Sequence, residues 1–298
     1  MNPKKSGNSV CGAEIRILAR PSYGYGHCSA QPCRNVKYQK EGVVMENIIA
    51  ITADNIDREH ICCAISDKKG ETCVSSKKAW MRERFADGLV FRKLDVRGKV
   101  FIEYIPAEKA WCPIDAQGYM HINCFWVSGQ YKGKGYADRL LEECIQDAKS
   151  KGCCGLTVVA SEKKRPFLSD PDYLKYKGFS AADTAAPFFV LYCLPFTGDA
   201  PAPRFRDCVK QGKIAEKGMV LYYTNQCPHT DKYVPIIVNL AKERGTEISI
   251  HKIDTTGQAQ SAPTPFTTYS LFYDGEFVTN EILGPAKFEK FLDQSTDY

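Results

Sequence analysis

The stretch Ile122–Ala160, INCFWVSGQYKGKGYADRLLEECIQDAKSKGCCGLTVVA, decides the fold. It reads strand, Gly-rich turn, helix, strand. Ala137, Leu140, Leu141, Cys144, Ile145 and Ala148 recur at the spacing of one buried helix face. Gly133 and Gly135 open that helix, and glycine lets a backbone take unusual dihedrals and come close to a ligand. The first turn of a helix carries free N–H groups and a partial positive charge, which suits a diphosphate. Lys132 and Lys134 add charge at its rim. Other phosphate loops fit worse. A P-loop needs G-x-x-x-x-G-K-[ST], and Tyr136 follows Gly135; the dinucleotide pattern G-x-G-x-x-G is not met by Gly133 to Asp138 either. Taken alone, the two glycines fit a plain β-turn-α connection equally well.

Working outward, the chain alternates β and α from Met45 onward. Asn47–Ile51 reads as a strand, and Thr52 or Asp54 is placed to cap a helix carrying Ile56, His60, Cys63 and Ala64. A second helix is expected over residues 72–85, ending before Gly88. Leu89–Leu94 and Lys99–Ile105 form a strand pair around Arg97-Gly98, and Tyr119–Val127, Leu156–Ala160 and Phe188–Leu194 are further strands. TGDAPAP, Thr197–Pro203, has the composition of a linker. Beyond it come a strand (Met219–Thr224), a helix (Thr230–Arg244), a strand (Ile248–Ile253), a hairpin joined by Asp274-Gly275, and a helix (Pro285–Leu292). The division is a basic tail of residues 1–44 without a core-forming pattern, a first domain of 45–197, a linker of 198–213 and a second domain of 214–298. Met45 is the expected physiological start.

Composition bounds the function. Of 298 residues, 44% are hydrophobic and 25% charged, as in ordinary globular proteins. The net charge of +5 sits in residues 1–44, with seven bases and two acids. The remaining 33 of 40 bases face 33 of 35 acids, so the body is neutral and its composition gives no case for nucleic-acid binding. No apolar run is long enough for a membrane span, and the N-terminus shows no apolar signal-peptide core. The 14 cysteines read as small buried thiols of a reducing cytoplasm rather than a disulfide framework. Cys11, His27, Cys28 and Cys33 lack the paired hooks of a zinc site, so no metal is expected.

The run Val127-x-x-x-Tyr131-Lys132-Gly133-Lys134-Gly135-Tyr136-Ala137-x-x-Leu140-Leu141 resembles motif A of the GNAT superfamily of N-acetyltransferases, whose core is [QR]-x-x-G-x-[GA]. The resemblance covers Met45 to Phe196 and implies a mixed sheet flanked by helices. It implies that acetyl-CoA is the cosubstrate, that the N–H groups of Lys132 to Ala137 cradle its diphosphate, and that Val127 meets its pantetheine arm. Lys132 stands where the family prefers Arg or Gln. The implied reaction is direct attack of an amine on the thioester, with a small metabolite or amino-acid-like molecule as the acceptor. A protein or peptide acceptor is the alternative, as is a CoA-binding thiol sensor. Nothing in the residues sets the oligomeric state.

The superfamily has no universal base. On the strand Tyr119–Val127, strict alternation puts His121, Asn123 and Phe125 on one face and Met120, Ile122, Cys124 and Trp126 on the other. His121 titrates in the right range for a base, and Glu103 is the second candidate. Relatives often place an acid Tyr four residues before the Gly of a Gly-Phe pair. In DPDYLKYKGF, Asp170–Phe179, that position is Leu174, with Tyr173 and Tyr176 on either side as candidates.

Cys227-Pro228 falls between a strand and a helix, where the helix N-terminus stabilises a thiolate. The surroundings resemble thioredoxin and glutaredoxin folds, giving an α/β second domain with Cys227 as redox candidate. Thr230 occupies the second position of C-x-x-C, which leaves only monothiol chemistry. Pro263 or Pro265 would supply the cis-proline of such folds. This order of domains is similar to YoaP-type acetyltransferases.

Overall fold

Pairing of strands distant in sequence organises the first half of the molecule. A computed structural model describes residues 46–61 and 64–295. In chain order, its elements begin with β1 (Ile48–Ile51), α1 (Cys73–Phe85), β2 (Val90–Leu94), β3 (Val100–Pro106), β4 (Ile114–Asp115) and β5 (Tyr119–Val127). They continue with α2 (Tyr136–Ser150), β6 (Gly155–Ser161), α3 (Pro171–Tyr176), β7 (Ser180–Ala185) and β8 (Phe189–Pro195). One sheet takes seven of these strands in the order β1-β2-β3-β5-β6-β8-β7, and β5 and β6 are its parallel pair. The helix between them, α2, packs Leu140, Leu141, Cys144 and Ala148 against Ile102, Tyr104 and Met120 on one face of the sheet. On the other face, Val74, Trp80 and Met81 of α1 pack with Phe91, Phe101 and Ile105. The result is the mixed α/β architecture expected from the Ile122–Ala160 pattern.

The remaining elements are β9 (Arg204–Phe205), β10 (Met219–Tyr223), α4 (Pro228–Glu243), β11 (Ile248–Lys252), α5 (Thr256–Gln260), β12 (Tyr269–Tyr273), β13 (Glu276–Thr279) and α6 (Pro285–Ser295). Four strands form a second sheet in the order β11-β10-β12-β13, with β10 and β11 parallel and the other pairs antiparallel. Asp274 and Gly275 both have positive φ (49° and 89°), the two-residue hairpin geometry that an Asp-Gly pair favours. Leu221, Leu271, Val234, Ile237 and Phe288 close a core between this sheet and helices α4 and α6.

Three sequence expectations differ from the structure. Residues 53–58 form consecutive turns rather than a helix. Asn55 Oδ1 accepts the Thr52 N–H at 2.8 Å and competes with helix propagation, while Ile56 and Ile61 are still fully buried. Cys62 and Cys63 lie outside the described residues, as do residues 1–45 and the tail and metal readings attached to them. The segment 198–213 is packed as well as linking. β9 pairs with β4, and Phe205 and Val209 have no exposed surface. Finally, the cis peptide among the described residues is Ala186-Pro187, so neither Pro263 nor Pro265 is cis.

Because 198–213 is packed, the two halves are fused. The described residues form one compact unit. Ile253, Ala259 and Ala262 join the same core as Trp111, Ile114 and Phe205. Polar bonds cross the junction: Trp111 Nε1–H donates to Thr256 Oγ1 at 3.1 Å, Cys112 Sγ–H to the Pro265 carbonyl at 3.3 Å, and the Thr267 hydroxyl to the Trp111 carbonyl. No helix among the described residues is long and apolar enough to cross a membrane.

Candidate active site

The turn from β5 into α2 combines two left-handed glycines with the open N-terminus of a helix. Gly133 and Gly135 have φ of +73° and +79°, a region that L side chains rarely adopt. A Cβ at either would meet no atom within 4 Å, so conformation and not crowding calls for glycine here. Gly135 is the N-cap of α2, and the Arg139 N–H to Gly135 carbonyl bond, 3.1 Å, starts the helical ladder. The N–H groups of Tyr136, Ala137 and Asp138 precede that bond and have no carbonyl four residues back inside the helix. Lys132 and Lys134 are exposed on the same turn, and the Tyr136 ring is buried beneath it. Positive-φ glycines, orphan N–H groups and a helix N-terminus are the donor set that a coenzyme A diphosphate needs.

Just upstream, β5 changes face. Against β3, Glu103 pairs with Cys124 and Tyr104 with Ile122, which leaves Asn123 as an extra, bulged residue. The strict alternation expected for this strand is therefore wrong beyond Ile122. Met120 and Ile122 share the α2 face with Phe125 and Val127, while Tyr119 and Cys124 pack on the α1 face. The bulge is held from the side: Asn123 Nδ2–H donates to Glu103 Oε1 at 3.2 Å.

β5 and β6 also part here. Their parallel pairing runs from Tyr119/Gly155 to Ile122/Val158 and stops, although β5 continues to Val127 and β6 to Ser161. A cavity of about 410 Å³ opens at this split. Its walls include Glu103, His121, Asn123 and Val159 of the first half, and Cys227, His229 and Phe266 of the second. The volume falls in the range of small-molecule sites.

Of the sequence candidates, His121 and Glu103 both line this cavity. His121 is only 4% exposed, and burial pushes its pKa from 6.5 down to about 4, so the ring is neutral at physiological pH. Its Nδ1 lies 3.0 Å from Thr157 Oγ1. Among the described residues, Nε2 has no hydrogen-bond partner. With the proton on Nδ1 donated to Thr157, Nε2 presents a lone pair. Glu103 is differently placed. Lys77 Nζ sits 2.5 Å from its Oε2, both side chains being buried, and Asn123 occupies Oε1.

The two tyrosines separate. Tyr173 packs edge-on against Phe125, a cavity residue, with ring centroids 5.6 Å apart. Its hydroxyl donates to Asp138 Oδ1 at 3.1 Å, and burial together with the Asp138 charge raises its pKa. Neither tyrosine lines the cavity itself, and Tyr176 is 78% exposed on the solvent side of the short helix α3. That position removes it as an acid for a buried reaction. Val127 ends β5 where the turn begins.

Cys227 is the N-cap of α4, with Pro228 at the first helical position, and is part-buried on the cavity wall. Thr230 is fully buried and bonds the Thr224 and Cys227 carbonyls at 2.6 and 2.7 Å. Among the described residues no cluster of three or more metal-ligating side chains occurs.

Lys77, Thr157, Lys99 and His229 were not singled out from the sequence. Lys77 had a signal, since it sits in the buried stripe Cys73, Val74, Lys77, Trp80, Met81 of α1. A charge inside an apolar stripe points to a buried partner. The other three had none.

Known proteins match in the same two blocks. The acetyltransferase (GNAT) family model matches residues 58–167, and the YoaP-like model matches residues 248–290. The N-acetyltransferase YoaP of Bacillus subtilis (strain 168) is 46% identical over 244 residues, covering 82% of this chain and 97% of that protein. Among solved structures, a GNAT family acetyltransferase from Brucella melitensis in complex with acetyl-CoA is 16% identical, covering 55% of this chain and 97% of that chain, with a TM-score of 0.34. A GNAT family N-acetyltransferase from Escherichia coli in complex with CoA is 12% identical, covering 57% and 94%, also at 0.34. With 46% of 244 aligned residues identical to YoaP along almost the whole of that protein, the chain belongs to the YoaP-like GNAT acetyltransferases, acyltransferases with acetyl-CoA as cosubstrate.

Proposed function

We propose that this enzyme acetylates the amine of a small molecule held in the cavity between the seven-stranded sheet and the C-terminal region. The observation that carries this reading is the position of His121, a neutral and nearly fully buried ring with an unbonded Nε2, in a cavity at the split of β5 and β6. Acetyl-CoA supplies the activated acetyl group. The N–H groups of the 132–137 turn hold its diphosphate, and Val127, one strand end away, guides the pantetheine arm toward the split. His121 Nε2 takes the proton of the attacking amine, while Thr157 fixes the ring. Glu103, with both oxygens engaged by Lys77 and Asn123, holds the bulge that shapes the site and is less free to act as base. Tyr173 is the remaining candidate to protonate the departing thiolate, through its place beside Phe125.

The second half then serves the acceptor. We read it as a thioredoxin-like module: a parallel β10–β11 pair at one side of the sheet, two antiparallel strands and a Cys-Pro helix start support that reading. It departs from such modules in having Thr230 for the second thiol and no cis-proline at Pro263 or Pro265. Cys227 lines the same cavity as His121, which favours a role in the acceptor site over separate redox sensing. Walls from both sides also favour a small acceptor over a protein surface.

The test is a panel of small amines and N-terminal peptides incubated with the full-length protein and acetyl-CoA, with products identified by mass spectrometry. Acetyl on the nitrogen of a small amine, with one CoA released per product, is expected. Acetylation of the peptides alone would overturn the small-molecule reading.

A further inference from the structure

The charges along the cavity are unequal. Glu103 is the one acid on its wall among the described residues, and Lys77 neutralises it from behind. Lys99 lines the same cavity, is half-buried, and has no ion-pair partner among the described residues. His229 of the second half stands close to Lys99. Burial lowers its pKa first, and the charge of Lys99 lowers it further, followed by that of Lys232, itself paired to Glu71. One end of the cavity thus offers an uncompensated cation and a neutral imidazole N–H, contributed by different halves of the chain.

The other end is His121. Lys99 lies beside Ser128, whose N–H donates to the Lys99 carbonyl at 3.1 Å, whereas His121 pairs with Ile105. Lys99 and Ile105 are six residues apart along one strand direction, or roughly 20 Å at about 3.3 Å per residue. Side-chain reach shortens the gap to on the order of 10 Å, still several bond lengths. The cavity walls are mostly apolar, with Trp126, Phe125, Phe266 and Val159 among them, and Lys77 and Asn123 engage the Glu103 carboxylate on β3.

We infer that the acceptor is elongated: an amine at His121, an apolar spacer along the cavity, and an anionic group, such as a carboxylate, held by Lys99 and His229. This rests on the transferase reading above and narrows its substrate class. An α-amino acid, whose amine and carboxylate share one carbon, cannot reach both ends at once. An ω-amino acid can.

Steady-state kinetics of the full-length enzyme with acetyl-CoA test this, using aminohexanoate, aminooctanoate, hexylamine, octylamine and phenylalanine as probes. The expected result is a kcat/KM at least about tenfold higher for one of the two amino acids than for the uncharged amine of the same length, and higher than for phenylalanine. Lys99→Met is expected to erase that advantage through the acceptor KM, with the KM for acetyl-CoA and the rate on the uncharged amines unchanged. His229→Ala should reduce it in the same sense. Equal rates on octylamine and aminooctanoate would overturn the anion site and leave the transferase reading standing. A rise in the acetyl-CoA KM of Lys99→Met with equal loss for every acceptor would assign Lys99 to the coenzyme instead. No acetylated product from any amine would overturn both readings.

Discussion

Gly135→Asp is expected to weaken acetyl-CoA binding about 100-fold, or roughly 3 kcal/mol, while the protein stays folded. Gly135 is the left-handed N-cap of α2, with φ at +79° and open space where a Cβ would point. Asp tolerates that conformation at a cost of roughly 1 kcal/mol, a small share of domain stability. Its carboxylate, however, would sit at the helix N-terminus among the N–H groups of Tyr136 to Asp138. It would satisfy those donors itself and repel the diphosphate. Calorimetry with acetyl-CoA, alongside a thermal melt, checks both halves of the expectation. An unchanged affinity in a folded variant would mean that the turn does not hold the coenzyme.

His121→Ala is expected to lower kcat by about 10²–10⁴, with acetyl-CoA affinity nearly unchanged. His121→Gln serves as a control that keeps the volume filled. The pH profile is the sharper readout. In the free enzyme His121 titrates at about 4, not 6.5, so the acid limb of kcat/KM should lie well below the usual histidine range and vanish in the variant. Stability carries the same signature. Because the folded pKa is depressed, the folded state binds fewer protons than the unfolded chain between the two values. The contribution is present above 6.5 and is lost as pH falls through about 4, approaching roughly 3 kcal/mol. Acid denaturation of His121→Gln should be shallower over that window. A variant with wild-type rates would hand the base role to Glu103 or solvent.

What was legible in the sequence follows from local periodicity. The strand, glycine turn and α2 face in Ile122–Ala160 needed no partner to be read, since one helix stripe and two positive-φ glycines carry them. The Asp274-Gly275 hairpin was equally local. The bulge at Asn123 was not, because an extra residue shows only against the register of β3. It moved Phe125 to the α2 face and Cys124 to the other. The cavity was illegible for the same kind of reason: residues 226–229 and 265–268 reach β5 only through tertiary packing. The packing of 198–213 was not legible because Gly, Pro and Ala at its start masked Phe205 and Val209, two anchors too few to show a period. His121 and Glu103 were found as residue types, but their unequal freedom depends on Thr157, Lys77 and Asn123, each from a different element or bond.

The most direct measurement of whether both halves build one acceptor site is the peptide-mapped alkylation rate of Cys227 in the native protein. Cys227 is part-buried on the cavity wall, whereas Cys208 is exposed and Cys144 fully buried. Iodoacetamide should label Cys227 in the free enzyme faster than Cys144. Saturation with an acceptor amine that the enzyme turns over, added with CoA, should slow labelling of Cys227 at least about tenfold, the protection expected of a thiol whose pocket is filled nine-tenths of the time or more. Labelling of Cys208 should not change. Labelling of Cys227 at the same rate with and without bound acceptor would contradict a shared cavity and leave the acceptor to the first half alone.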